Sequence, residues 1–143
     1  MGLNTSSKGN STSGVILAKL LALGYQVLTP FGDGGRYDLA FDDGKQIRRV
    51  QCKTGRIFKG VVVFSASSMG RNGKRTDYAG GADLFGVYCP QNDTVYLVPV
   101  ADCPVTAANL RIQETLNNQT NNVRWAKAYE AKDVPPAWLT PGI

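Results

Sequence analysis

Apolar and polar positions follow two different periods along this chain, and the change from one to the other marks its first elements. From Asn10 to Leu23 the apolar residues Val15, Ile16, Leu20 and Leu23 recur at helical spacing, with Leu17 and Leu21 widening the stripe. The pattern predicts an N-terminal helix, capped by a preceding Ser or Thr and stopped by Gly24. After Gly24 the period shortens to two. Tyr25 to Thr29 reads as a strand, Pro30 to Gly35 as a loop, and Tyr37 to Asp42 and Gln46 to Lys53 as a hairpin over Asp42-Asp43-Gly44. Asp-Gly between alternating apolar runs is a strong hairpin signal. In the second of these strands Gln51 and Lys53 share one face, while Val50 and Cys52 point into the core. Asp38 opens the first strand and lies across the hairpin from them.

Further along, Gly60 to Ser65 is a short β-branched strand of central character, and Ser67 to Gly81 is a long loop rich in glycine and bases. Leu84 to Cys89 and Thr94 to Val100 form a second hairpin, apolar on both faces and so well buried. The signal weakens after Pro104. Asn109 to Glu114 alternates like a strand, residues 117–122 read as a polar turn, and Val123 to Glu130 fits strand or helix. Pro135, Pro136 and Pro141 make the tail irregular, and Trp125 and Trp138 read as packing anchors. The length of 143 residues fits one domain: residues 1–7 disordered, a core over 8–105 and a C-terminal extension over 106–143. The elements make an α/β domain, helix first.

Composition removes several chemistries. There is no histidine, which excludes Ser-His-Asp and Cys-His catalysis and histidine zinc sites. Cys52, Cys89 and Cys103 lack any C-x-x-C spacing and read as buried thiols of a reducing compartment. No apolar run approaches the ~20 residues needed to cross a bilayer, and residues 1–14 lack the apolar stretch of a signal peptide. The expected location is therefore the cytoplasm, with no membrane partner, and the triplets at Asn4, Asn10 and Asn118 carry no glycosylation.

The net charge is only +5, but the bases are concentrated. Ten of the sixteen lie between Arg36 and Arg75, against three of the eleven acids. A basic middle on a near-neutral frame fits a polyanionic partner. Arg71, Lys74 and Arg75 in the long loop are candidate phosphate contacts. The loop Gly32-x-Gly34-Gly35 follows a strand, as a dinucleotide-binding loop does. What comes next alternates like a strand, so no helix N-terminus is offered to a pyrophosphate and no nucleotide cofactor is expected.

Asp38, Gln51 and Lys53 put a carboxylate, an amide and an ammonium on one patch, a combination suited to a metal ion beside a cation. On the residues alone, an Asp38–Lys53 salt bridge on an ordinary hairpin is the favoured explanation. The wider order of motifs goes further. Tyr37-Asp38, a dozen residues, then Gln51-Cys52-Lys53 resembles the PD-(D/E)XK nuclease signature, with Gln in place of the second acid. Lys8-Gly9 ahead of the helix, Leu23-Gly24-Tyr25 at its end, Val27-Leu28-Thr29-Pro30, Val87-Tyr88-Cys89-Pro90 and Val95 to Val100 extend the likeness over residues 8–130. The chain is similar to the bacterial homing endonucleases associated with group I introns.

That resemblance implies a single restriction-endonuclease-like domain with a mixed β-sheet flanked by helices. It implies site-specific hydrolysis of double-stranded DNA with Mg²⁺ or Mn²⁺, by a dimer or tetramer in a bacterial cytoplasm. Asp38, the Gln51 amide oxygen and the Cys52 backbone carbonyl would be the metal ligands, and Lys53 the residue that acts on water and phosphate. Lys8, Arg36, Arg49, Arg56 and Lys59 would join Arg71, Lys74 and Arg75 on the DNA. The family's helix carries a glutamate four residues after the Lys-Gly glycine, and here that position is Ser13. Its side chain is expected in the helix's first turn, facing Asp38 and Gln51. A Holliday-junction resolvase or restriction-type nuclease on the same fold, and an inert DNA-binding module, are the alternatives.

Overall fold

The computed structural model describes residues 5–32, 35–69, 75–76, 81–103, 107–113 and 123–132. Helix α1 spans Thr5–Ala22, and strands β1 Gln26–Leu28, β2 Leu39–Asp42 and β3 Ile47–Thr54 follow it. Next come β4 Arg56–Phe58, β5 Val61–Ser65, β6 Ser68–Met69 and β7 Arg75–Thr76. The chain continues through β8 Leu84–Cys89, β9 Thr94–Pro99, a 3-10 turn at Val100–Asp102, β10 Ala107–Arg111 and a one-turn helix α2, Ala126–Tyr129.

The main sheet has the order β1-β2-β3-β8-β9. Its central pair, β3 with β8, is parallel, and every other pair is antiparallel. A parallel pair needs a long crossover. Here the crossover is itself structured: β4 and β5 join β10 in a second sheet, order β10-β5-β4.

Alternation along β8 and β9 divides the core in two. Leu84, Val95 and Leu97 face α1, where Ile16 and Leu20 are fully buried beside Val50 and Phe41. Phe85, Val87, Cys89, Tyr96 and Val98 face the second sheet and meet Val62, Phe64, Ala108 and Leu110. α1 covers one face of the main sheet, and the second sheet with Ala126 of α2 covers the other. The outer edge of β9 is closed by residues 130–131, with Ala131 N donating to Val95 O at 2.9 Å.

Several boundaries differ from the sequence reading. α1 begins at Thr5, so residues 5–7 are helical, and Ser13 lies eight residues in from its start rather than in its first turn. Its end is as expected. Gly24 has φ +95, Gly24 N donates to Leu21 O and Tyr25 N to Leu20 O, the paired bonds of a Schellman stop.

The first hairpin closes over four residues, because Asp42 pairs with Ile47. Asp43 Oδ1 accepts from both Lys45 N (2.9 Å) and Gln46 N (2.8 Å), which holds those residues in the turn instead of the strand. The loop after Ser67 carries the short antiparallel pair β6–β7. The strand expected over Asn109 to Glu114 is Ala107–Arg111, and the ambiguous stretch from Val123 resolves into an isolated bridge at Trp125 followed by α2. Trp125 is about one third exposed, so it is less an anchor than expected. The expectations for Arg71, Lys74, residues 117–122, Trp138 and the proline tail lie outside the described residues.

Gly86 sets how closely helix and sheet approach. A Cβ there would lie 2.9 Å from Val50 Cγ1 and 3.0 Å from Ile16 Cγ2. Both neighbours are fully buried, so neither can move aside cheaply. Gly86→Ala is expected to destabilise the fold by about 1–3 kcal/mol, the usual cost of overpacking. The urea unfolding midpoint measures it.

Candidate active site

The site forms just before the start of β2, where β3 is left with an open edge. The last rung of their ladder pairs Leu39 with Val50, and Asp38 N donates to Val50 O at 2.8 Å. In a strand, alternate residues direct their N–H and C=O to opposite edges. Arg49 O accepts from Asp83 N and Gln51 pairs with Phe85, so odd-numbered residues of β3 turn towards β8. Val50 and Cys52 turn towards β2. At Cys52 the β2 backbone is gone, and the Asp38 carboxylate replaces it: Oδ2 accepts from Cys52 N at 2.9 Å. The same oxygen accepts from Gln51 Nε2 at 2.8 Å. The Cys52 carbonyl points to this edge as well, beside Asp38.

Thus Asp38 and Gln51 meet as the sequence suggested, through a hydrogen bond from amide to carboxylate. Lys53 projects from the same face as Gln51, towards the second sheet. Its Nζ donates to the backbone carbonyl of Ser67 at 3.2 Å, and Ser65 Oγ donates to that carbonyl at 3.1 Å. Ser67 is buried, two residues past the end of β5. The crossover therefore holds the lysine from its far side.

Ser13 is placed differently from the expectation. It approaches from α1, on the face opposite Gln51, and its hydroxyl is hydrogen-bonded to the Cys52 thiol. One residue earlier, Thr12 Oγ1 lies 2.6 Å from Thr54 Oγ1. These contacts fasten α1 to the last part of β3. Burial, with the nearby Asp38 charge adding to it, pushes the Cys52 thiol up to about 12 against the smaller opposing effect of Ser13. The thiol stays neutral at ordinary pH, so Cys52 offers its carbonyl oxygen and not a thiolate.

The basic residues are more scattered. Arg49 forms a forked pair with Asp83, Nε to Oδ2 at 3.2 Å and Nη2 to Oδ1 at 3.1 Å. Arg49 N also donates to Asp83 Oδ2, and the pair holds the Asp83 carboxyl below the usual carboxylate range. Sequence reasoning missed Asp83, since its only signal was a lone acid ahead of an apolar strand. Arg36 is exposed and lies over Gly81, where a Cβ would come within 2.6 Å of Arg36 Nε. Arg56 and Lys59 flank the Phe58 ring, at 5.6 and 5.3 Å from its centroid. Lys8 and Arg75 belong to α1 and β7, but their side chains are outside the described set.

The profile of a PD-(D/E)XK endonuclease family matches residues 3–132. The chain belongs to the PD-(D/E)XK endonuclease family. It is a nuclease of that family, with the mixed sheet and leading helix in place. No curated protein matches the chain. Among solved structures it is similar to one described as that of a bacterial homing endonuclease, I-Ssp6803I, with a TM-score of 0.69 and 21% identity. That match covers 90% of this chain and 89% of the other, a likeness of fold.

Members of the family generally work with a divalent metal ion. Among the described residues no three His, Cys, Asp or Glu side chains gather as a metal cluster. What the open edge offers is one carboxylate, a neighbouring backbone carbonyl and a side-chain amide. Gln51 turns Nε2 to Asp38, and half a turn about its last bond would present Oε1 instead, since the two atoms are nearly the same size. An all-oxygen set with a single charge fits a hard dication that keeps several of its waters.

The bond from Cys52 N makes Asp38 structural as well as chemical. Asp38→Ala is expected to lower stability by on the order of 0.5–1 kcal/mol, as one backbone donor loses its partner. Asp38→Asn retains an acceptor oxygen and should recover most of the loss. Urea midpoints of the two variants check this.

Proposed function

We propose that this nuclease is a site-specific homing endonuclease that hydrolyses phosphodiester bonds in double-stranded DNA with Mg²⁺ or Mn²⁺. One observation carries the reading: the Asp38 carboxylate is fixed by Gln51 and Cys52 at the open edge of β3, and Lys53 leaves the strand on the same face as Gln51. Asp38, the Cys52 carbonyl and the rotated Gln51 amide would hold the ion. When bound, the ion would lower the pKa of a water and withdraw charge from the phosphate. Lys53, steadied by the Ser67 carbonyl, orients the attacking water and donates N–H to the phosphate oxygens as negative charge builds there. The new P–O bond forms on the water side as the opposite P–O bond breaks, the water's proton passing to solvent and the leaving sugar oxygen taking one up from solvent.

Ser13 supports a second reading, a protein that binds DNA and cuts it poorly. Its hydroxyl is spent on the Cys52 thiol, where the family's glutamate would bring a carboxylate. A plasmid-nicking assay with Mg²⁺ or Mn²⁺ separates the two readings. Cutting by the unmodified chain supports the endonuclease, and DNA binding without cutting supports the binder. Lys53→Ala should reduce nicking by about a hundredfold or more while leaving DNA binding largely intact. Ser13→Glu should speed nicking, and a tenfold gain corresponds to about 1.4 kcal/mol of barrier. If Lys53→Ala cuts as fast as the parent, the assignment of this site is wrong.

One domain carries one such site, and cutting both strands takes two. We therefore propose a two-fold symmetric dimer, or a tetramer built from dimers, acting on bacterial DNA in the cytoplasm. The edge strand β1, with Leu28 and nearby Leu21 exposed, is a place for the second copy to pack. Sedimentation should show a species of at least two chains, and a monomer both with and without DNA would overturn this.

A further inference from the structure

The second sheet has an outer face that the catalytic reading does not use. Its inner face is fixed by burial: Ile57, Val62, Phe64, Ala108 and Leu110 all pack into the core. Their neighbours must point outward. Register arranges these outward residues in rows across the three strands. Phe58, Val61 and Arg111 form one row, and Arg56, Val63 and Asn109 the next. None of the three strands contains an acidic residue. Phe58 is half exposed, and it is flanked by the Arg56 guanidinium and the Lys59 ammonium.

The hairpin that carries them is stiff. Lys59 and Gly60, at φ +49 and +78, make the two-residue turn, and Gly60 O accepts from Ile112 N and Gln113 N. It is also joined directly to the candidate site, since only Thr54 and Gly55 separate Lys53 from Arg56. Gly55 is buried between Val62 and Val87, which lie 2.8 and 2.9 Å from where its Cβ would be. The five steps from Lys53 to Phe58 span at most about 17 Å of extended chain. At 3.4 Å per base pair, that is about five base pairs of duplex.

We propose that this outer face is a docking surface for the DNA duplex flanking the cut. Arg56, Lys59 and Arg111 hold phosphates there, and Phe58 packs against a sugar or base edge. The inference rests on the endonuclease reading for its partner. Charge complementarity selects that partner: an acid-free sheet face with three cations matches a phosphate backbone. An apolar protein partner would find the Phe58 ring already covered by two charges.

The test measures binding of a mixed-sequence duplex oligonucleotide at several salt concentrations. Arg56→Ala, Lys59→Ala and Arg111→Gln should each flatten the log–log salt dependence by about 0.9, the slope of one phosphate left unneutralised. Phe58→Ala should weaken binding at every salt concentration without changing the slope. Lys127→Ala on α2 removes the same charge from elsewhere and should leave the slope as it was. Thermal melts confirm that the variants fold. On a duplex the protein cuts, phosphate ethylation should interfere within about five base pairs of the scissile bond, and this interference should vanish in Arg56→Ala/Lys59→Ala. If the parent binds and the sheet variants keep its slope, or if Lys127→Ala flattens it equally, the docking surface is wrong while the endonuclease reading stands. If the parent binds no duplex, both fall.

Discussion

Parallel pairing of β3 with β8 cannot be closed by a tight turn, and much of the molecule follows from that. The chain leaves β3 at Gly55 and returns to the sheet at Leu84, and the residues between do more than bridge a gap. They fold into β4 and β5, recruit β10, and supply the layer that buries Phe85, Val87 and Cys89. Their backbone also reaches back to the site, because the Ser67 carbonyl just past β5 holds Lys53. The parallel pair thus sets both the second half of the core and the position of the lysine.

The site depends on incompleteness in the same sheet. Were β2 two residues longer at its start, its backbone would satisfy Cys52 N and cover the Cys52 carbonyl. Because the ladder stops at Leu39, a side chain does that work, and the carboxylate of Asp38 is fixed where two backbone groups point outward. From the other face, Thr12 and Ser13 bond to Thr54 and Cys52. The end of β3 is therefore gripped from three sides: by α1, by Asp38 and by the crossover.

Charge in this chain is divided between holding the fold and facing a partner. Arg48 and Arg49 sit on neighbouring residues of β3, and each is paired with an aspartate, Asp43 and Asp83 respectively. The Arg49–Asp83 pair is partly exposed, and pairs of that kind contribute little stability on their own, whereas the Asp43 carboxylate of the other pair is almost fully buried. Their geometric effect is larger, since Asp43 shapes the first hairpin turn and Asp83 bridges β3 to the start of β8. Arg56 and Lys59 instead lie along an aromatic ring on an outer face, where their charge remains directed at solvent.

The sequence by itself determined the elements whose signal is local. The apolar stripe from Val15 to Leu23 with Gly24 behind it, and the two-faced apolar run of Leu84 to Cys89, fold as their periods say. Period-two alternation likewise put Gln51 and Lys53 on one face, because the backbone enforces it, and Asp38 meets Gln51 there. Three things were not legible from residue type, and the last two were decided only by tertiary structure. The turn at Asp43 lengthened because one carboxylate oxygen accepts two backbone N–H groups, a local contest that residue type alone does not resolve. β4 was hidden because three residues are too few to show a period, and its strand identity comes from pairing with Val61 to Val63. Ser13 faces Cys52 rather than Gln51 because neighbouring residues of β3 point to opposite faces, and which face α1 covers is a property of the packed layers.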